Sequence, residues 1–189
     1  MTRRAEALRT EPYTYADVLA RDESIRAEII DGELYMMAPP ARIHQRISVE
    51  LCRQIANYLD GKPCEVYSAP FGVRLFPKED QSDDTFVEPD IVAVCDSSKL
   101  DDLGCNGAPD LIIEIVSPSN SRHDRFVKFR KYQEAEMREY WIADPEEQTV
   151  QVHILEGGRY VTAVYDKNDE VPVAALPGCV IKLAKVFSG

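Results

Sequence analysis

Two short apolar runs, Glu88-Pro-Asp-Ile-Val-Ala-Val-Cys95 and Pro109-Asp-Leu-Ile-Ile-Glu-Ile-Val-Ser117, decide the fold that this sequence predicts. Both are rich in β-branched residues, which favour strands. Each run also carries an acid within it: Asp90 opens the first strand and Glu114 lies inside the second. An ionised carboxylate buried in such a strand costs several kcal/mol unless a cation or a hydrogen-bond donor compensates it. Glu114 therefore needs a partner.

The basic segment that follows the second run supplies a candidate partner. Residues 121–135 are predicted to form a helix, in which Lys128 and Asp124 lie one turn apart on the same face. Two acids on neighbouring strands, with a lysine at their edge, can hold a divalent cation and activate a water, which is the chemistry of phosphodiester cleavage. Arg122 and Arg125 on the same helix are candidates for binding a flanking phosphate.

The charge of the chain is distributed unevenly. With 22 basic and 33 acidic residues the net charge is −11, which counts against tight non-specific binding of DNA. Residues 122–131, however, hold five basic residues and only one acid, a local charge of +4. A basic strip beside the predicted metal site is where a phosphate would bind.

Length and cysteine content suggest one soluble domain. A chain of 189 residues suits a single domain, and we expect a flexible N-terminus over residues 1–11 and one domain over residues 12–189, with its core at about 41–145. The sequence contains no apolar run of ~18 residues, so we predict no membrane span. The five cysteines are odd in number and form no CxxC pair, which argues against a disulfide framework and a zinc site, and for a cytoplasmic location.

The order of predicted elements indicates an α/β protein of the α+β type with a mixed sheet. A short helix after Thr14 precedes a hairpin about Asp31-Gly32, and a longer helix follows over residues 41–60. A second hairpin turns at Glu156-Gly-Gly158. Strands lie on both sides of the basic helix, which predicts one right-handed crossover through it.

Three further residues have both a structural and a functional interpretation. Glu33 is either an exposed acid of the first hairpin or points toward the site from a neighbouring strand. His44 falls near the centre of the apolar stripe of the 41–60 helix, where a histidine is either a satisfied core residue or a site residue. Glu50 lies at the flank of that stripe, as a solvated edge residue or a supporting group.

These residues together resemble a known family. The resemblance covers about residues 12–165 and is carried by Ile30-Asp-Gly-Glu-Leu34, Met37-Ala-Pro-Pro40, His44-Gln45, Glu88-Pro-Asp90, Ala108-Pro-Asp-Leu-Ile-Ile-Glu-Ile-Val-Ser-Pro-Ser119, Asp124 with Lys128, and Arg138-Glu-Tyr-Trp-Ile-Ala-Asp-Pro145. Asp90, Glu114 and the helix residue Lys128 together resemble the motif of the PD-(D/E)XK nuclease superfamily, which has the restriction-endonuclease-like fold. The whole set, in this order, is similar to the Uma family of "putative restriction endonucleases".

The resemblance implies a restriction-endonuclease-like αβββαβ core, here with an added N-terminal helix and hairpin. It implies that Asp90 and Glu114 coordinate Mg²⁺, for which Mn²⁺ can substitute, and that the backbone carbonyl of Ile115 is a further ligand. A lysine of the site would position or deprotonate the attacking water. The implied function is endonucleolytic hydrolysis of DNA by a homodimer.

The chain departs from the superfamily pattern at one position. The lysine of (D/E)XK should lie two residues after Glu114, where this chain has Val116. We expect Lys128 to replace it by reaching back from the helix, and Asp124 to orient Lys128 by an ion pair from position i to i+4 rather than bind metal.

Two other functions remain open from sequence. The missing strand lysine and the net charge of −11 are also compatible with an inactive nuclease-fold module that binds nucleic acid or protein. A hydrolase of another kind with paired carboxylates, such as a glycosidase, would need its two acids on an open cleft at a separation of ~5–10 Å. Such an enzyme would have no use for the basic helix.

Overall fold

The computed structural model describes residues 11–21, 26–117 and 123–188. Most of the predicted flexible N-terminus, and Arg122, lie outside the described residues. The helices are α1 Tyr15–Leu19, α2 Arg42–Leu59, a 3-10 turn Ser97–Lys99, a π-helix His123–Lys128, α3 Phe129–Glu134 and α4 Leu183–Val186. The strands are β1 Ala27–Ile30, β2 Glu33–Met36, β3 Glu65–Ser68, β4 Gly72–Arg74, β5 Phe86–Val87, β6 Ile91–Val94, β7 Leu100–Asp101, β8 Gly104–Asn106, β9 Leu111–Ile115, β10 Glu139–Asp144, β11 Thr149–Glu156, β12 Arg159–Asp166, β13 Glu170–Pro172 and β14 Val180–Lys182.

The two organising runs are neighbouring strands of one mixed sheet, as predicted. Its order is β12-β11-β10-β9-β6-β3. β9 pairs with β10 in parallel and with β6 in antiparallel fashion. Because a parallel pair needs a crossover connection, the π-helix and α3 bridge β9 to β10, and the predicted crossover through the basic segment is confirmed.

The first hairpin belongs to a second sheet, of order β2-β1-β5-β4-β8-β7. β1 and β2 pair in antiparallel register about the predicted turn, in which Asp31 has φ 53° and Gly32 has φ 74°. A side chain at Gly32 would also clash with Pro12, because a Cβ atom at this position would fall 2.5 Å from the Cβ atom of Pro12. Left-handed backbone and close approach together explain glycine at this turn.

The mixed sheet separates two apolar cores. α2 and the C-terminal segment cover one face, where Ile113 and Trp141 are fully buried. On the other face Ile112, Tyr132 and Tyr140 pack in a second core, to which Ile30 of β1 contributes. Because side chains alternate along a strand, Glu114 points to the second core, between the sheet and the basic helix.

The basic helix is not the regular α-helix that the sequence predicts. Its first part, His123–Lys128, is a π-helix, which continues as α3. Phe126, although apolar, is 63% exposed on this π-helix. The wider turn of a π-helix shifts the angular positions of its side chains, and Asp124 and Lys128 are turned into the interior instead.

The prediction that the chain has no disulfide is also wrong. Cys64 and Cys95, which flank β3 and β6, are bonded, while Cys52, Cys105 and Cys179 are free. Their separation of 31 residues in the sequence hides this contact, because only the pairing of the two strands brings them together. The cysteine count therefore no longer supports a reducing compartment. In the described part of the chain, no helix is both long and apolar enough to cross a membrane.

Candidate active site

Asp90 lies where β6 meets β9. The last pair of their register is Ile91 with Ile113, so Asp90 and Glu114 occupy the next step of the two strands. The N–H of Ile115 donates a hydrogen bond of 2.8 Å to Oδ2 of Asp90. Nε2 of His44, on α2, lies 3.0 Å from the same oxygen. Asp90 is thus held by groups from two elements, and the predicted contribution of His44 to the site has a geometric basis.

Glu114 finds the partner that its position requires. It is only 4% exposed, and its Oε1 accepts hydrogen bonds of 2.8 Å from Nζ of Lys128 and of 2.8 Å from the hydroxyl of Tyr132. Lys128 is itself only 3% exposed. The helix lysine therefore reaches the strand acid, as expected from the absence of a lysine at Val116.

A further acid, Glu28 on β1, also contacts Lys128. Its Oε1 lies 2.7 Å from Nζ of Lys128 and accepts a hydrogen bond of 2.9 Å from the N–H of Glu88. The sequence interpretation missed this residue. Glu28 lies in the buried run Ala27–Ile30, so the criterion that selected Glu114, an acid inside an apolar strand, would have found it.

Asp124 lies at the edge of the same cluster. Its Oδ1 is 3.6 Å from Nζ of Lys128, which is the predicted ion pair at a distance longer than a hydrogen bond. Oδ2 is buried and has no hydrogen-bond partner among the described residues. The hydroxyl of Tyr140 donates to the carbonyl oxygen of Asp124 and fixes this turn of the π-helix.

Burial and charge shift the pKa values of these groups in different directions. Burial raises the pKa of Glu114 well above its ordinary value, against the opposing charge of Lys128. Burial likewise raises the pKa of Asp124 to about 6. Burial also acts to raise the pKa of Glu28, but the charge of Lys128 outweighs it and the pKa falls to about 2. Glu28 is therefore the one of these three acids whose ionised form its surroundings stabilise.

The pKa of Lys128 rises well above its ordinary value. Burial alone would lower it, and the negative charges of Glu114, Glu28 and Asp124 more than reverse that effect. The side chain consequently remains an ammonium ion at neutral pH. A charged ammonium can donate hydrogen bonds and attract anions, but it cannot accept a proton.

Other residues predicted for the site lie elsewhere. Glu33 is exposed and accepts a hydrogen bond from the hydroxyl of Tyr35. Glu50 pairs with Arg53 along α2. Neither is brought into the cluster, because Glu33 lies on the solvent-facing strand of the hairpin and Glu50 on the flank of the apolar stripe.

The arginine predicted to bind phosphate already has a partner in this structure. Arg125 lies 2.6 Å from Oδ2 of Asp144. This ion pair joins the π-helix to the end of β10. Its companion in the prediction, Arg122, lies outside the described residues.

The chemistry of the cluster fits the predicted divalent cation. The carboxylates of Glu28, Glu114 and Asp124 lie around one ammonium, that of Lys128, and Asp90 follows on the strand next to Glu114, so acids outnumber the lysine in this buried region. No three His, Cys, Asp or Glu side chains within residues 11–21, 26–117 and 123–188 are arranged to hold a metal by themselves. The predicted ligand set has two carboxylates and a backbone carbonyl, and Mg²⁺ typically takes only one or two carboxylates and keeps several waters.

Comparison with known proteins identifies related sequences and a related structure. Two uncharacterized proteins of Synechocystis sp., slr1290 and sll1609, are 25% identical over 151 residues and 26% identical over 140 residues. The alignments cover 79% and 71% of this chain and 77% and 76% of the two relatives. The crystal structure of "a putative nuclease belonging to DUF820" from Anabaena variabilis superposes with a TM-score of 0.74 at 22% identity, covering 93% of this chain and 98% of that one.

The structural likeness confirms the predicted restriction-endonuclease-like fold. A family model described as "Putative restriction endonuclease", Uma2, matches residues 12–184. That range includes both organising strands, the hairpin with Glu28 and the helix with Lys128. The chain therefore belongs to the Uma2 family of "putative restriction endonucleases".

Proposed function

We propose that this protein is a metal-dependent endonuclease that hydrolyses phosphodiester bonds in DNA, with Asp90, Glu114 and Lys128 as its catalytic residues. One observation carries the proposal: Nζ of Lys128 lies 2.8 Å from Oε1 of Glu114. This contact supplies from the helix the lysine that the superfamily has on the strand. Family membership points to the same activity.

The cation would be held by Asp90, Glu114 and the carbonyl of Ile115, with Mg²⁺ as the natural ion and Mn²⁺ as a substitute. When bound, a divalent cation stabilises charge on the phosphoryl oxygens and lowers the pKa of a bound water. The protein prepares these ligands in advance. The N–H of Ile115 and Nε2 of His44 both hold Oδ2 of Asp90, and Tyr132 holds Oε1 of Glu114.

Lys128 acts as a positioning cation in this proposal rather than as a general base. Its pKa is raised well above the ordinary value by the surrounding carboxylates, so no free amine is available to take a proton from water. An ammonium can instead donate a hydrogen bond to the attacking water and attract a phosphate oxygen. Preorganised donors of this kind stabilise charge that develops in the transition state.

The family resemblance further leads us to propose a homodimer, and we propose that it acts in the cytoplasm because the proposed DNA substrate lies there. A pair of subunits would allow both strands of a duplex to be cut. Sedimentation of the purified protein, alone and with duplex DNA, tests this part of the proposal independently of catalysis.

A second candidate function has support of its own. The net charge is −11, and Arg125 is engaged with Asp144. Both features disfavour strong binding of a phosphate backbone. They favour a non-cutting module of the same fold, which binds nucleic acid or protein.

Cleavage of plasmid and branched DNA with Mg²⁺ or Mn²⁺ distinguishes the two functions. We expect the wild type to cut, Glu114→Gln and Asp90→Asn to lose both cleavage and metal binding, and Lys128→Met to lose cleavage while calorimetry still detects the metal. In the two variants that lose the metal, the cleavage rate should fall by about 10³-fold, because metal-ion stabilisation is worth several kcal/mol and each 1.36 kcal/mol is tenfold in rate. A pure protein that cuts none of these substrates with either ion would favour the binding module.

A further inference from the structure

We propose that Glu28 is a positioning residue, which holds the Lys128 ammonium in place for catalysis. This inference rests on the proposed nuclease function. It adds a strand and an acid that neither the sequence motif nor the family description assigns. Glu28 acts through Lys128 and needs no contact with the substrate.

The contacts of Glu28 fix the position of its carboxylate. The residue is 3% exposed, and Oε1 accepts from the N–H of Glu88 at 2.9 Å while lying 2.7 Å from Nζ of Lys128. Glu88 directly precedes Pro89 and Asp90 in the chain. Glu28 therefore ties the lysine to the same backbone segment that carries the first predicted metal ligand.

The need for a second acid follows from the double role of Glu114. Lys128 shares the Oε1 atom of Glu114 with Tyr132. A divalent cation on Glu114 would compete for that carboxylate and repel the ammonium, because like charges at a few ångströms in a poorly solvated site interact strongly. Glu28 lies on another strand, outside the predicted ligand set. It can keep the ammonium beside the site while Glu114 binds metal.

A purely structural role explains the arrangement less well. Buried ion pairs contribute little to stability compared with apolar residues of similar size, because desolvation offsets their attraction. β1 is apolar elsewhere, with Ala27, Ile29 and Ile30 all buried, so an apolar residue at position 28 would suit the strand. Nε2 of His123 lies 3.8 Å from Oε2 of Glu28, beyond hydrogen-bond distance, so that within residues 11–21, 26–117 and 123–188 Lys128, at 2.7 Å, is the nearest cation to this acid.

A double-mutant cycle between Glu28→Gln and Lys128→Met tests the proposal. Glutamine keeps an acceptor for the N–H of Glu88, which preserves the fold. In the wild-type background we expect Glu28→Gln to lower kcat by about 100-fold, the scale of a misplaced catalytic group, with KM unchanged. In the Lys128→Met background the same change should have no further effect on kcat, since residues that act as a unit are not additive.

Two measurements besides activity complete the test. Calorimetric titration with Mg²⁺ should give Glu28→Gln an affinity within about twofold of the wild type, whereas Asp90→Asn should lose binding. Urea unfolding of the four proteins of the cycle, free of metal, should show that Glu28→Gln shifts the midpoint less when Lys128 is absent. Glu170→Gln is the matched control, because Glu170 forms an exposed ion pair with Lys182, and it should behave as the wild type throughout.

The outcomes separate the two proposals. Equal losses of kcat from Glu28→Gln in both backgrounds, or loss of Mg²⁺ binding in the single variant, would overturn the positioning role and leave the nuclease function intact. A wild type that binds Mg²⁺ but cuts no DNA would overturn the nuclease function, and the positioning role with it. Loss of kcat confined to the background that retains Lys128 supports both.

Discussion

Two buried glutamates lie on opposite faces of the same sheet, and only one of them belongs to the candidate site. Glu114 is on β9 and Glu139 on the parallel neighbour β10. Both strands are apolar around them, and Glu139 has no exposed surface at all. Burial of an acid in a strand therefore does not distinguish a functional residue from a structural one.

The partners of the two residues do distinguish them. Oε1 of Glu139 accepts from the indole N–H of Trp141 at 2.7 Å, and Oε2 accepts from the N–H of Ala175 at 2.6 Å. Both donors are neutral and fixed, and the second fastens the C-terminal segment to the sheet. Each oxygen of Glu139 is satisfied by the fold.

Glu114, in contrast, is paired with a lysine that also contacts two other acids. The charged Nζ atom of Lys128, at the end of a flexible side chain, lies near carboxylate oxygens of Glu114, Glu28 and Asp124. Three acids share one lysine there, whereas two neutral dipoles suffice for Glu139. The charge balance around a buried acid, rather than its burial, therefore indicates whether the acid can exchange its partner for a ligand.

The largest expected effect is on stability, from replacing Lys128, the cation that Glu114 has and Glu139 lacks. Lys128→Met leaves several buried carboxylates without their cation, and we expect the free energy of unfolding of the metal-free protein to fall by about 3–5 kcal/mol at neutral pH, the usual cost of breaking a buried ion pair from one side. Urea unfolding followed by circular dichroism measures it.

Lys131→Met is the matched control on the same helix. Its ammonium pairs with Asp31 and Glu134, which are about 60% exposed, and such pairs contribute about 0–1 kcal/mol. If the two variants lost equal stability, the buried acids around Lys128 would not depend on its charge.

A smaller loss is expected from Glu139→Gln. The amide group of glutamine would direct N–H donors at either the indole N–H of Trp141 or the N–H of Ala175, and an unsatisfied buried donor costs about 1–3 kcal/mol. The affinity for Mg²⁺, measured by calorimetry, should not change. A Glu139→Gln protein with wild-type stability, or with weakened metal binding, would contradict the purely structural role of Glu139.

Much of the fold could be predicted from the sequence because its signals are local. The Asp31-Gly32 turn, the apolar stripe of α2 and the hairpin of β11 and β12 each lie within a few residues, and all three are confirmed. The pairing of Lys128 with Glu114 was predictable for another reason. A buried acid requires compensation, and the nearest basic helix limits the choice of partner.

The remaining features depend on contacts between distant segments. Glu28 could have been recognised as an acid inside an apolar strand, but its pairing with Lys128 joins two distant segments of the chain and cannot be predicted from the residues near it. The disulfide of Cys64 with Cys95 likewise follows from strand pairing. The π-helix has no simple sequence signature, and it decides why Phe126 is exposed while Asp124 is buried.

The smallest predicted effect is a change in the pH dependence of stability at Asp124. Its pKa is raised from the ordinary 3.8 to about 6 by burial, so between these pH values the folded state binds more protons than the unfolded state. The free energy of unfolding should therefore fall as pH rises from about 4 to about 6. Asp124→Asn removes this contribution, which is at most about 1.4 kcal/mol per pH unit, and should flatten the slope measured by urea unfolding across that window. The slope should not vanish, because burial raises the pKa of Glu114 and Glu139 as well. An unchanged slope in Asp124→Asn would mean that the charge of Lys128 fully offsets the effect of burial, so that folding does not raise the pKa of Asp124.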